Sequence, residues 1–421
     1  MKLLRTTGRG AAEAQQTIAA LTDRRNAGFE RALPQARRIV EAVHRGGDRA
    51  LLRLRARLDG IPSQAPLRIP EEELKAAWDG TPPETRQALR AAAKNIRAFA
   101  AKQRPRDFDL QPARGVTTGQ RVVPLASAGC YVPSGRYPLP STLLMTVVPA
   151  QVAGVERIVV VSPKPARETL AAAALLGVAE FYRVGGAQAI AALAYGTESM
   201  ARVDKIVGPG NAWVTAAKKL VAFDCGIDML AGPTEIVVTS EAGDPAGIAA
   251  DLVAQAEHDP QSVAIFITTQ TELAKAVVAE TKQRARGNRI ATEALARNGL
   301  VIVVRTIDEA RELTNRIAPE HLTVDSAADL EWVRNAGSVF VGRWSSQPLG
   351  DYVSGPNHPL PTSGLARVRG GLSVLDFVKL ITVQEYTQAG VQQLGPAAVR
   401  LANAEGLVGH AEAIRARGVH E

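Results

Sequence analysis

Two parallel α/β domains, with a helical segment before them and a helical tail after them, are what this 421-residue sequence predicts. Three observations carry that expectation. From about Gly129 to Val341, short β-rich apolar runs alternate with helix-patterned runs. The alternation comes as two series, separated near Ala231-Gly232-Pro233. The chain is also too long for one ordinary hydrophobic core.

The first hundred residues read as helical. Arg37–Leu58 spaces Val40, Val43, Leu51, Leu52 and Leu54 near a 3.6-residue period, interrupted at Gly46-Gly47. Pro82-Pro83-Glu84 opens a long helix through Ala91, Ile96 and Phe99, since proline suits a first helical turn. Val116–Leu125 reads as extended. In the first series, strands at Arg157–Ser162, Phe181–Val184 and Lys205–Val207 lead to helices at Glu168–Leu176, Ala187–Ala194 and Ala212–Ala222. The second series places strands at Ile236–Thr239, Val263–Thr268, Leu300–Val304, His321–Val324 and Ser338–Val341. Its helices fall at Ala246–His258, Leu273–Arg284, Ile307–Ile317 and Ala328–Ala336. From about Val374 the tail reads as mostly helical, without strands, and suits a docking or dimer element. No short-period repeat or low-complexity segment is visible.

The totals bound the function. Hydrophobic content of 46% and charged content of 22% fit a soluble globular protein. No run of about 18 apolar residues predicts a membrane span, and the start lacks the apolar core of a signal peptide. Two cysteines, Cys130 and Cys225, cannot build a disulfide framework, so a reducing cytoplasm is expected. A net charge of +8 raises nucleic-acid binding as a class. Many arginines lie between Arg24 and Arg57, in a helix-patterned stretch without stacking aromatics or a basic run. A solvated helix face, or attraction of an anionic cofactor, is the better reading.

Five of the six histidines lie near a carboxylate or carboxamide. Gln255 and His258 are i and i+3 near a helix end, so amide oxygen and imidazole can face one cation; a His⁺ at a helix C-terminus is the plainer alternative. Glu320-His321 follows Pro319 between a helix and a strand, and this pair is a natural proton-transfer couple. Gly350–Thr362 offers Asp351, Asn357 and His358 within a stretch stiffened by glycine and proline. Glu405 and His410 share a helix face only loosely. His44 lies near Asp48, and both it and His420 read as structural or exposed.

Signals for phosphate binding are weaker. Val184-Gly-Gly-Ala-Gln188 and Val207-Gly-Pro-Gly-Asn211 each join a strand to a helix through glycines, an arrangement that can bring an anion to helix N–H groups. Neither is Gly-x-Gly-x-x-Gly, and no P-loop lysine or Gly-x-Ser-x-Gly is present.

Taken together, several strings resemble the histidinol dehydrogenase family over nearly the whole chain. They are Gly129-Cys-Tyr131-Val-Pro133, Val184–Leu193, Lys205–Asn211, Ala231-Gly-Pro-Thr234-Glu235, Gln255-Ala-Glu-His258, Pro319-Glu-His321 and Gly350–Thr362. The resemblance implies zinc-dependent oxidation of L-histidinol to L-histidine through L-histidinaldehyde, with two NAD. It implies two incomplete Rossmann-like domains and an intertwined homodimer. The domains would be 1–23 as an arm, 24–129 with 234–373 as the larger unit, 130–233 as the NAD unit, and 374–421 as the tail. Zinc ligands would be Gln255, His258, Asp351 and His410, with His410 and Glu405 entering from the partner. Glu320 and His321 would be catalytic. Tyr131, Gln188 and Asn211 would contact NAD. Thr234, His358 and Glu405, together with the metal ligands and His321, would contact substrate. The family commonly has serine where this chain has Thr234, which keeps the hydroxyl and adds a methyl. Other classes stay open on the residues alone: a dehydrogenase of another amino alcohol or hydroxy compound, a metal-dependent hydrolase, or a charged binding protein.

Overall fold

A computed structural model describes residues 1–23, 29–134 and 137–419; Arg24 and His420 lie outside the described residues. The chain opens on strand β1 (Lys2–Arg5) and helix α1 (Ala11–Thr22). Helices α2 (Leu33–Leu58), α3 (Glu71–Asp79) and α4 (Pro83–Gln103) follow, then the antiparallel strands β2 (Phe108–Ala113) and β3 (Val116–Pro124). The first βα series runs β4 (Ser127–Tyr131), α5 (Pro140–Ala153), β5 (Arg157–Val161), α6 (Arg167–Leu175) and β6 (Glu180–Tyr182). It continues through α7 (Gly186–Tyr195), β7 (Lys205–Val207), α8 (Ala212–Val221) and β8 (Gly226–Ile227). The second begins with β9 (Glu235–Thr239), α9 (Pro245–Ala256), β10 (Val263–Thr268), α10 (Thr271–Arg284) and α11 (Arg289–Asn298). It ends with β11 (Gly299–Val303), α12 (Ile307–Ile317), β12 (His321–Val324) and β13 (Ser338–Val341). A short α13 (Gln347–Tyr352), β14 (Val378–Tyr386), α14 (Gln388–Ala404) and α15 (Val408–Arg415) complete the chain.

The two series form two parallel sheets, ordered β6-β5-β4-β7-β8 and β1-β11-β10-β9-β12-β13. Strands covered on both faces read as unbroken apolar runs, and Val159–Val161 and Ile265–Ile267 have no solvent exposure. The expected α/β architecture is therefore present. Its details differ from expectation in four places.

Residues 1–23 are more than an arm, because β1 adds a parallel edge strand beside β11. Helices α2–α4 belong with the five-stranded sheet, not with 234–373. Val40, Val43 and Leu51 enter the core of Ile190, Leu193 and Val214, and Ile96 joins Leu143 and Leu144. The six-stranded sheet has its own covering side chains, including Ile18, Leu252, Val277 and Leu313. The tail is not free of strands: β14 pairs antiparallel with β3 from Val378↔Pro124 to Tyr386↔Val116. Its Val, Ile, Thr and Tyr content suits a pleated backbone. Finally, the helix expected over Ala328–Ala336 is only a 3-10 turn, Ala327–Glu331. The Asn315 side chain takes the N–H groups of Arg334 and Asn335, which ends further winding.

Candidate active site

Glu320 and His321 lead into β12, and Thr234 precedes β9, so the amino ends of these strands face one cavity. Gly208, Pro209 and Gly210 follow β7 and line the same cavity from the carboxyl end of the five-stranded sheet. Open parallel sheets ordinarily bind ligands at carboxyl ends. Here only the five-stranded sheet does so. The cavity, about 220 Å³, also reaches His258, Asp351 and His358, and its size suits a small polar molecule.

His321 and Glu320 are both buried. The His321 ring has Nδ1 3.2 Å from the Glu235 carbonyl oxygen and 3.6 Å from Glu320 Oε2. Its Nε2 lies 3.5 Å from Asp351 Oδ1 and makes no hydrogen bond. With Nδ1–H donating to Glu235, Nε2 is the nitrogen available as a base. Burial lowers the His321 pKa, but the charges of Glu320 and Asp351 outweigh it and raise the value to about 10, so the ring would serve as a base once a cation on Asp351 offsets that charge. Glu320 Oε2 accepts from Thr234 Oγ1 at 2.6 Å and from the Glu235 N–H at 2.8 Å.

Asp351 is held by Gln347 Nε2, which donates to its Oδ2 at 2.8 Å across one turn of α13. His358 is fixed between the Asp351 carbonyl oxygen, 2.7 Å from Nδ1, and Thr142 Oγ1, 3.2 Å from Nε2. Burial lowers its pKa. Asn357 donates to the Met145 carbonyl at 2.6 Å, so the expected Gly350–Thr362 loop is docked on α5 of the other sheet's unit.

Tyr131, Gln188 and Asn211 share a second cavity of about 520 Å³. The Tyr131 hydroxyl accepts from the Gly186 N–H at 3.1 Å, and burial pushes this phenol up to about 12. Gln188 Nε2 donates to Asp59 Oδ1 at 3.1 Å, while its buried Oε1 has no partner. Asn211 caps α8 by accepting from Trp213 and Val214 N–H groups. Gly208–Asn211 thus runs from one cavity to the other.

Glu405 and His410 stand apart. Both are exposed on the tail, where α14 and α15 share a small core of Val399, Ala402, Ala411 and Val419, and neither lines either cavity. His44 stacks on Tyr195 with ring centroids 3.9 Å apart, in keeping with a structural part.

The family model described as histidinol dehydrogenase matches residues 22–418. A histidinol dehydrogenase from Methanothermobacter thermautotrophicus is 45% identical over 413 residues, covering 95% of this chain and 96% of that one. One from Gluconobacter oxydans is 44% identical, covering 99% of each. The crystal structure of histidinol dehydrogenase from Elizabethkingia anophelis superposes with a TM-score of 0.92 at 33% identity, covering 99% of this chain and 98% of that one. This chain belongs to the histidinol dehydrogenase family. It is therefore an oxidoreductase.

Whether the family's metal suits these residues can be judged from the donors. Gln255 is fully buried, its Nε2 donates to Thr234 Oγ1, and its Oε1 is left without a partner. An orphaned buried amide oxygen is a type of donor that suits a cation, and two carboxylates around His321 supply the charge to balance one. Among the described residues, however, no group of three or more His, Cys, Asp or Glu is assembled to hold a metal. His258 and Asp351 line the cavity, and Gln255 reaches it through Thr234.

Sequence reasoning missed the supports of this site. Gln347 sits four residues before Asp351, a helical spacing that could have flagged it. Thr142, Asp59, Lys218 and Asp228 carry no local signal, because their partners are remote in the chain or ordinary backbone groups.

Proposed function

We propose that this protein oxidises L-histidinol to L-histidine in two successive steps through L-histidinaldehyde, using two NAD. The observation that carries this reading is the unbonded Nε2 of His321 between the buried Glu320 and the half-buried Asp351, in a cavity that the Gly208–Gly210 turn also lines. NAD accepts a hydride in each oxidation, and zinc, where bound, fixes and polarises the substrate's imidazole and amine. Gln255, His258 and Asp351 would hold that ion with His410 of the partner subunit.

His321 Nε2 takes the hydroxyl proton as hydride leaves the carbinol carbon. Glu320 is anchored through Oε2, which leaves its other oxygen to take a proton from the water that adds to the aldehyde. Once His321 has passed its first proton to solvent, Nε2 receives the proton of the hydrated aldehyde as the second hydride leaves the carbon. His358 and Thr234 would contact substrate from this chain, and Glu405 of the partner subunit would meet the substrate's ammonium group. Tyr131, Gln188 and Asn211 would contact NAD.

We infer a homodimer in the cytoplasm. The three-stranded sheet and tail expose Phe108, Leu110, Leu380, Ile381, Leu401 and Val408, and Trp344, Leu349 and Tyr352 are exposed near the cavities. That much open apolar surface suits burial against a second copy. No described helix is long and apolar enough to cross a membrane.

Metal analysis with an NAD-coupled histidinol assay, before and after chelation, tests the reading. Bound zinc and chelator-sensitive NADH formation are expected; turnover without NAD would point to hydrolysis instead. His321→Asn should slow both oxidations by about 10²–10⁴-fold, whereas Glu320→Gln should chiefly slow the aldehyde step. Equal losses for Glu320→Gln in both half-reactions contradict the division of roles.

A further inference from the structure

The turn Gly208-Pro209-Gly210-Asn211 is shared by both cavities: its first three residues line the catalytic one, and Asn211 lines the other. Gly208 is its fixed point. A φ of 114° suits glycine alone, and an added Cβ would collide with the Tyr131 carbonyl oxygen. Both backbone groups of Gly208 are held by one ion pair. Its N–H donates to Asp228 Oδ2 at 2.8 Å, and its carbonyl accepts from Lys218 Nζ at 2.6 Å. Lys218 and Asp228 meet at 2.5 Å, with side chains 3% and 1% exposed. The Met229 N–H donates to Asp228 Oδ1 at 2.6 Å, and Arg369 donates to the Asp228 carbonyl.

A buried ion pair is a poor route to stability, because well-packed apolar residues of similar volume often do as well or better. What this pair adds is direction. Its donors and acceptors specify one position for a turn that has contacts on both sides. Asp228 also lines the catalytic cavity, yet the pair takes no part in the proton and hydride steps derived above.

We propose that Lys218 and Asp228 are positioning residues that fix the Gly208–Asn211 turn and so set the spacing between substrate and cofactor. The inference rests on the NAD-linked oxidation proposed above. They act through the turn rather than on the reacting atoms, so loss of the pair should lower hydride-transfer rate while the fold persists.

The test is the double variant Lys218→Met/Asp228→Asn in the full-length protein. It removes both charges, leaves no buried charge unpaired and keeps an acceptor for the Gly208 N–H. The expected result is a Tm within about 3 °C of wild type, with kcat reduced about tenfold or more in both half-reactions and KM for NAD raised. A folded double variant with wild-type kcat and KM overturns the proposal, since a merely structural pair predicts that outcome. Lys218→Gln/Asp228→Asn, which also removes both charges and keeps an amide donor for the Gly208 carbonyl, is the milder second variant and decides the matter if the first does not fold. It should show a smaller loss in the same direction, and wild-type kinetics there also overturn the proposal. Wild-type histidinol turnover with NAD is the control, and its absence overturns the underlying functional reading as well.

Discussion

Thr234, the residue at which this chain departs from the family's common serine, joins two parts of the site through one hydroxyl. Its Oγ1 donates to Glu320 Oε2 and accepts from Gln255 Nε2. Thr234→Val keeps the shape, leaves Gln255 Nε2 without its acceptor and takes one of two donors from Glu320 Oε2, so it should cost about 1–3 kcal/mol of stability and slow the aldehyde step. Thr234→Ser should behave like wild type. Thermal melts with separate half-reaction assays measure both, and a fully active Val variant removes Thr234 from the site. The cysteines make a different prediction. Burial pushes Cys130 up to about 12 and Cys225 up to about 11. Neither should react with iodoacetamide at pH 8 in the native protein, while both should react in denaturant. A folded thiol with a raised pKa keeps its proton where the unfolded thiol has lost it, so this contribution to stability declines as pH climbs from about 9. Denaturant titrations at pH 8 and pH 10.5 check the sign. At this scale, Glu320, His321, Asp351 and His358 were legible because short strings of unusual composition mark them. Asp59, which meets Gln188 at a separation of 129 positions, was not.

At the scale of elements, the kink in α2 shows how much the local sequence dictates. Gly47 takes φ 51° and ψ −141°, a conformation open essentially to glycine, and a Cβ there would strike the Glu198 carboxylate that accepts from the Asp48 N–H. Gly47→Ala should destabilise the protein by at least about 1 kcal/mol, lowering Tm by about 1–3 °C; an unchanged melt contradicts the strain. The interruption at Gly46-Gly47 was readable for the same reason. Central parallel strands were readable too, since Arg157–Val161 and Val263–Thr268 are dense in β-branched residues. Others were not, among them β1, α5 and β14. β1 has only four residues, too few to show a period. α5 is buried nearly all round and contains Pro149, so it has neither a polar face nor a clean pattern. β14 lies next to two helices, and its pairing depends on β3, more than 250 positions earlier in sequence.

At the scale of the molecule, the exposed Glu405 and His410 make the proposed shared site testable without a complex structure. A His410→Ala subunit mixed with a Glu320→Gln subunit forms heterodimers in which one site regains every proposed residue. Unfolding and refolding the mixture should restore about a quarter of wild-type activity, although each parent is weak alone. No recovery, in a mixture shown to exchange subunits, argues that each site is built from one chain. The edge strand β1 has a consequence of another kind. It pairs with Gly299–Val303, so during synthesis this segment has no partner until nearly 300 more residues have been made. At about 5–20 residues per second, that is roughly 15–60 s with the strand unpaired. That edge of the sheet closes only when two segments nearly 300 positions apart in the chain meet, a long loop to close for one short strand.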